Sequence, residues 1–453
     1  MMTTTAAPGL TAPQTHLDAF SAAERTLPGH NRPAIARLRS SAIAAFAKLG
    51  FPNDRNEDWK FTSVKPLVRT PMLLPEPDSP EAIEAFRSRL VHTGPGVTLA
   101  CFNRIAPFLM GGSQPLPEGV LVCSLAEAIQ SHPDLVEAHF ARHAASDEHP
   151  FVALNSAFWN QGAFVYVPPG VIIDEPIQID YVVSAYNEDY PYLWYRRALI
   201  LLGKAAQATV VESFYGLPMQ YATNAVSEIV LGEGAILDHY KVQQESPQAF
   251  HLACTQAVVA AKANFSTHYV GLGGQLVRNE VRVLFTGQHA EATVNGLYQT
   301  SGTQHLDNLT VIDHAQPNCN SHELYKGVLD GKSKGVFAGK IFVRPDAQKT
   351  DAKQTNKTLL LSDDATINSK PQLEIFADDV KCTHGATVGQ LDEQQLFYLR
   401  ARGIGEEQAR ALLTFAFAND IVRRIKVDPL RLRLETLLLE SSHLPRLTET
   451  EDE

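Results

Sequence analysis

Between about residues 151 and 390 the chain is a series of short runs rich in Val, Ile and Thr, separated by Gly, Asp and Asn. Within the runs apolar and polar positions alternate with the two-residue period of a strand, and helical periodicity is almost absent. A loose echo recurs: "GKAAQATV" from Gly203, "GEGAILDH" from Gly232, "AKANFSTH" from Ala261, "GQHAEATV" from Gly287, "DGKSKGVF" from Asp330 and "SDDATINS" from Ser362. Most gaps are about 26 to 32 residues, with one longer, which suits the coils of a solenoid better than the blades of a propeller. Single strands of this kind cannot bury their inner faces, whereas stacked coils share one apolar core. The pattern predicts a mainly β protein with a parallel β-helix core. A β-sandwich is the rival arrangement.

Helical periodicity returns on both sides. In "RPAIARLRSSAIAAFAKLG", Pro33 stands at a helix start and Gly50 at its end, with Ile35, Leu38, Ala42, Phe46 and Leu49 on one face. "VTLACF" (97–102) and "GVLVCSLAEAI" (119–129) predict short strands, the second running into a helix, with Cys101 and Cys123 in the core. Toward the C-terminus Asp392 is placed to cap "EQQLFYLRARG" and Gly403 to end it. "GEEQARALLTFAFANDIVRRI" is acidic at its start and basic at its end, as a helix dipole favours. The expected organisation is a disordered tail over 1–20, a mainly helical N-terminal domain over 21–150, the β-helix over 151–390, a helical C-terminal domain over 391–443 and a disordered tail over 444–453.

Composition narrows the function. At 453 residues, 44% hydrophobic and 20% charged, the chain has the make-up of an ordinary soluble protein. A net charge of -11 argues against a general nucleic-acid binder. No apolar stretch is long enough to span a bilayer, and the N-terminus lacks the basic and apolar regions of a signal peptide, so the cytoplasm is the expected location. The five cysteines are scattered without a CxxC, which excludes a zinc ribbon or ferredoxin-type run. No GxxxxGK[ST] or GxSxG is present, and "GLGG" (271–274) and "GKSKG" lack the strand–loop–helix setting of a phosphate cradle, so this chain is expected to bind no nucleotide.

The chemistry that remains centres on "DDVKCTHGATVG" (378–389). On a strand, Val380, Cys382 and His384 face one way, so the thiol and imidazole converge as a pair suited to zinc or iron. Two ligands do not make a site, and the same alternation suits two side chains lining a core. "VIDHAQPNCNSHELYKG" gathers Asp313, His314, Cys319, His322 and Glu323 without an established ligand spacing; a cation site and polar corners both fit. The Leu-rich "RLRLETLLLESS" offers an apolar stripe that either packs on its own domain or docks a partner.

Four stretches carry a resemblance: "RNEDWKFTSVKPL" (55–67), "VYVPPGVIIDEPIQIDY" (165–181), "QTNKTLLLSDDATINSKPQLEIFADDVKCTHGATVG" (354–389) and "LDEQQLFYLRARGI" (391–404). Together they resemble the SufB/SufD family of iron–sulfur cluster assembly proteins, densest from about Cys319 to Ile425. Cys-Thr-His-Gly and "QLFYLRARGI" are closer to the SufD branch than to SufB, which typically has Cys-Glu-His-Glu. The resemblance implies a right-handed parallel β-helix between helical N- and C-terminal domains, in a non-catalytic scaffold subunit of a SufB–SufC–SufD complex. A SufB-like paralogue would meet the end of the β-helix, and a SufC-like ATPase would bind the C-terminal helices. It also implies iron acquisition and a transient cluster or iron shared with the partner, with His384 as the metal-site residue and Cys382 beside it. An isolated chain could form a homodimer through the same end. The other readings are a β-helix enzyme of the polysaccharide-lyase kind, and an oligomeric interaction module with structural histidines.

Overall fold

The computed structural model describes residues 9–75, 96–102, 107–112, 115–183 and 190–441. Its centre is a β-solenoid of about seven turns. With strands numbered in chain order, even strands from β4 (Gln161–Val167) to β18 (Thr366–Ile375) stack in parallel as one sheet. Odd strands from β5 (Ile177–Val183) to β19 (Lys381–Gly389) stack as the other. The inward side chains of both sheets make one continuous core, running from Leu99 and Cys101 through Val210, Phe265 and Tyr298 to Phe337. That shared core is why the strands show a period of two and little else.

The sequence echoes mark two corners, not one. The turns at Gly203, Gly232, Ala261 and Gly287 lead into odd strands, whereas those at Asp330 and Ser362 lead into even strands. The one long gap in the echo is this change of corner. At the first corner Ala205, Gly234, Lys262, His289, Asn318 and Lys349 each take a left-handed backbone, with φ between 54° and 68°. Their amides bind the next coil: Ala205 N to Glu233 O at 2.8 Å, Gly234 N to Ala261 O at 2.8 Å and Lys262 N to Gln288 O at 2.9 Å. The left-handed turn is thus held at non-glycine positions by a ladder of backbone bonds.

Helices cover the outer faces. The helix Pro33–Leu49 buries Ile35, Ala42 and Phe46 of its apolar face and half-buries Leu38, while Leu49 at its end is exposed; it packs with the helix Pro150–Phe158 over the outside of the even sheet. It also buries Arg39, which donates to the carbonyls of Ala157, Pro28 and Trp159 and lies over the Trp159 ring. The segment around Trp59 straps this layer to the even sheet: Arg278 sits 4.2 Å above the indole, and Thr62 donates to Asp307 at 2.5 Å. On the opposite side, the helices Glu406–Val422 and Asp428–Ser441 bury Ile421, Val422, Leu430, Leu434 and Leu438 against Val211, Val242, Val270, Leu297 and Val328 of the odd sheet. The Leu-rich stripe therefore packs on its own domain.

Two details differ from the sequence reading. Residues 13–20 are not tail: Pro13–Ala23 is a helix, and Leu10, His16 and Phe20 are buried against Phe46 and Phe158. An eleven-residue helix has too few periodic apolar positions to stand out. The strands β1 (Val97–Phe102), β2 (Phe108–Gly111) and β3 (Leu121–Ser124) also belong to the solenoid sheets, β2 and β3 pairing antiparallel at their ends. Most of the link "PMLLPEPDSPEA" and the tail 444–453 lie outside the described residues. No helix among the described residues is long and apolar enough to cross a membrane.

Candidate functional site: the open end of the solenoid

The last coil has no successor. β18 and β19 are the edge strands of their sheets, and nothing among the described residues stacks beyond them, so their inward side chains are at best half-buried. In the first coil the corresponding side chains Leu99, Cys101 and Ile177 are at most 1% exposed, whereas Val388 is 48% exposed. Ile375, Phe376, Phe397 and Tyr398 add further exposed apolar surface around this end.

Cys382 and His384 lie on β19, in register with the buried Ala352 and Gln354 of β17 (Asp351–Leu360). They continue two inward rows of the core, so they do share one face, at the point where the core meets solvent. Cys382 is half-buried beside Val380 and Leu373, and burial pushes its thiol pKa up. His384 is exposed, and no hydrogen bond or ion pair to a described residue holds its ring. A free imidazole beside a protonated thiol offers one ready metal ligand and one reluctant one. Among the described residues no group of three His, Cys, Asp or Glu side chains is placed to hold a metal ion. Iron or a nascent cluster here would be cargo whose remaining ligands come from outside this chain.

The row behind His384 is polar, which composition did not signal. Gln354 donates to Glu323 at 3.0 Å, and Thr310 donates to the other Glu323 oxygen at 2.6 Å. Burial raises the Glu323 carboxyl to a pKa of about 7, against the pull of those two hydrogen bonds. The Gln354 amide fits because residue 339 on the facing sheet is glycine; a Cβ there would stand 2.2 Å from Nε2. Once the coil length is known, Glu323 and Gln354 can be read off as the residues stacked on His384. Without it they are three unrelated positions.

The segment around Cys319 does not gather a site. Asp313 points out to Arg344 at 2.7 Å, His314 is buried against Ser321 at 2.9 Å, Cys319 is core, His322 is exposed and Glu323 faces inward. Strand alternation sends these side chains to opposite faces.

Beyond β19, Asp392 caps the helix Glu393–Ala401 by accepting from Gln394 N at 2.8 Å and Gln395 N at 3.3 Å, and Gly403 ends it with φ 88°. This helix buries none of its residues, and Phe397 is 73% exposed. It stands beside a cleft of about 640 Å³ lined by Leu360, Asp363, Leu391, Glu406 and Arg410.

Comparison with known proteins settles what this architecture belongs to. The model of the SUF system FeS cluster assembly SufBD core domain matches residues 184–417, and that of the SufBD protein N-terminal region matches residues 10–179. The chain belongs to the SufBD family. It is 30% identical over 417 residues to an iron-sulfur cluster assembly SufBD family protein of Synechocystis, covering 88% of this chain and 89% of that one. The iron-sulfur cluster assembly protein SufD of Escherichia coli is 30% identical over 388 residues, covering 85% and 88%. SufD of Bacillus subtilis is 26% identical over 421 residues, covering 90% and 94%. The SufBD core match takes in the exposed helix and both sheets up to the open end, so the end coil is part of the family's core domain.

Proposed function

We propose that this SufBD protein is a non-catalytic scaffold subunit of a cluster-assembly complex. It pairs through its open end with a SufB-like paralogue and holds a SufC-like ATPase with its C-terminal helices. The observation that carries this is the uncovered last coil, which presents a free imidazole, an edge strand and apolar side chains at one place. β18 has Pro371 at its centre, which cannot donate to an added strand, whereas β19 has no proline and can pair along its length. A paralogue added to β19 would bury Val388 and bring its own ligands to His384. The exposed helix bearing Phe397 and Tyr398 supplies a separate, apolar contact for the ATPase, whose closure would then pull on the strand it follows.

Two substitutions test the two contacts separately. His384→Ala should leave the chain folded and bound to the paralogue while depressing iron–sulfur enzyme maturation in vivo; normal maturation with good expression removes His384 from the mechanism. Phe397→Glu with Tyr398→Glu should abolish co-purification with the ATPase. Retained ATPase binding by that variant places the contact elsewhere. Deleting the C-terminal helices is the poorer experiment, because it strips the apolar outer face of the odd sheet.

A further inference from the structure

The outer face of the odd sheet is covered by the C-terminal helices as far as β15 (Asn320–Leu329); on β17 Leu359 is still buried, but Lys353 and Lys357 are left exposed, as is the outer face of β19. That bare strip is cationic in a chain whose net charge is -11. Lys353 and Lys357 project from β17 and are exposed, as is Lys381 at the start of β19; on β15 the neighbouring His322 is exposed, whereas Lys326, beside Lys357, is buried under the helix Glu406–Val422. Lys326 meets Asp420 at 2.8 Å, and the same carboxylate is shared with the exposed Arg423 and Arg424. The counter-charges around this strip are Asp420 and Asp351, the latter 3.4 Å from Lys353, with the exposed Asp378 and Asp379 at the adjoining corner, where Asp379 is held by Lys349. Between the cations the surface is flat and made of small residues: Thr355, Thr383, Gly385 and Thr387. A Cβ added at Gly385 or Gly389 would meet nothing within 4 Å.

We infer that this strip is a docking surface for an extended acidic segment of a partner protein. The strip runs along β19, whose free edge carries His384 on its other face, so the segment would be held next to the open end. Charge selects the occupant: more cations than carboxylates, with no apolar side chain exposed among them, fits carboxylate side chains on a narrow strand. A strip two strands wide on an otherwise acidic molecule is a poor footprint for a nucleic-acid backbone. The inference goes beyond the scaffold reading and does not need His384.

Fluorescence anisotropy of the full chain at low salt tests it, with a labelled polyglutamate peptide and a single-stranded oligonucleotide as probes. The peptide should bind, weaken with added salt, and bind about tenfold or more weakly to Lys353→Glu/Lys357→Glu/Lys381→Glu. It should bind unchanged to Lys204→Glu/Lys332→Glu, exposed lysines elsewhere on the solenoid, and to His384→Ala. Absence of peptide binding, or an equal loss in the control lysine variant, overturns the proposal. Tighter binding of the oligonucleotide, lost in the same triple variant, overturns it in favour of nucleic acid. The scaffold reading is scored by maturation in vivo and this surface by peptide binding in vitro, so their failures give different results.

Discussion

The two ends of the solenoid are built from the same strands and finished in opposite ways. At the N-terminal end the sheets are extended by antiparallel β2 and β3, and the inward Leu99, Cys101 and Ile177 of the first coil are buried. At the C-terminal end β18 and β19 stop with their edges and inner faces open. An isolated soluble protein normally blunts such an edge. Leaving one end sealed and the other bare gives the molecule a direction.

The largest expected effect breaks that symmetry directly. Phe46→Ala, under the helical layer beside Phe51 and His16, should cost about 3–5 kcal/mol in urea unfolding. Val388→Ala at the open end should change stability by less than about 0.5 kcal/mol. Similar losses at both sites would mean that the last coil is packed as tightly as the helical layer over the even sheet.

A smaller effect lies two coils inside the open end. Glu323 keeps its proton up to a pH of about 7 when folded, against 4.5 when unfolded. Its contribution is therefore complete below pH 4.5 and is lost as pH rises to about 7, amounting to about 3 kcal/mol. Buried Asp180, near the sealed end, is raised from 3.8 to about 7 and slopes the same way. Glu323→Gln should be more stable than the parent at pH 8, should show no gain at pH 4, and should flatten the stability curve between. A stability curve of unchanged slope would show that Glu323 does not titrate over this range.

The smallest effect compares the ends through their shared corner. Ala205→Gly and Lys349→Gly, both at left-handed positions, should each stabilise by about 0.5 kcal/mol. The exposed Lys349–Asp379 pair lost in the second contributes little. Unequal gains would show that the backbone, and not only the burial, differs between the ends.

Much of this was legible in the chain itself. The period-two runs, the spaced turns, the helix at 33–49, and the cap and stop at Asp392 and Gly403 all depend on local backbone preference, which neighbouring residues determine. The alternation of Cys382 and His384 onto one face is local in the same sense. The short helix at 13–23 was missed because its burial comes from Phe46 and Phe158, far along the chain. Arg39 on an apolar helix face was missed because the carbonyls that satisfy it belong to Pro28, Ala157 and Trp159.

The sequence by itself determined that strands would stack, where they would turn, and which family pattern they follow, since each of these rests on residues close in the chain. Only the tertiary structure decided that the Leu-rich helices are spent on the odd sheet, that Gln354 and Glu323 line up behind His384, and that the last coil is left open. Those outcomes depend on which coil lies against which, and register between strands some thirty residues apart is set by packing across the core, not by either strand alone.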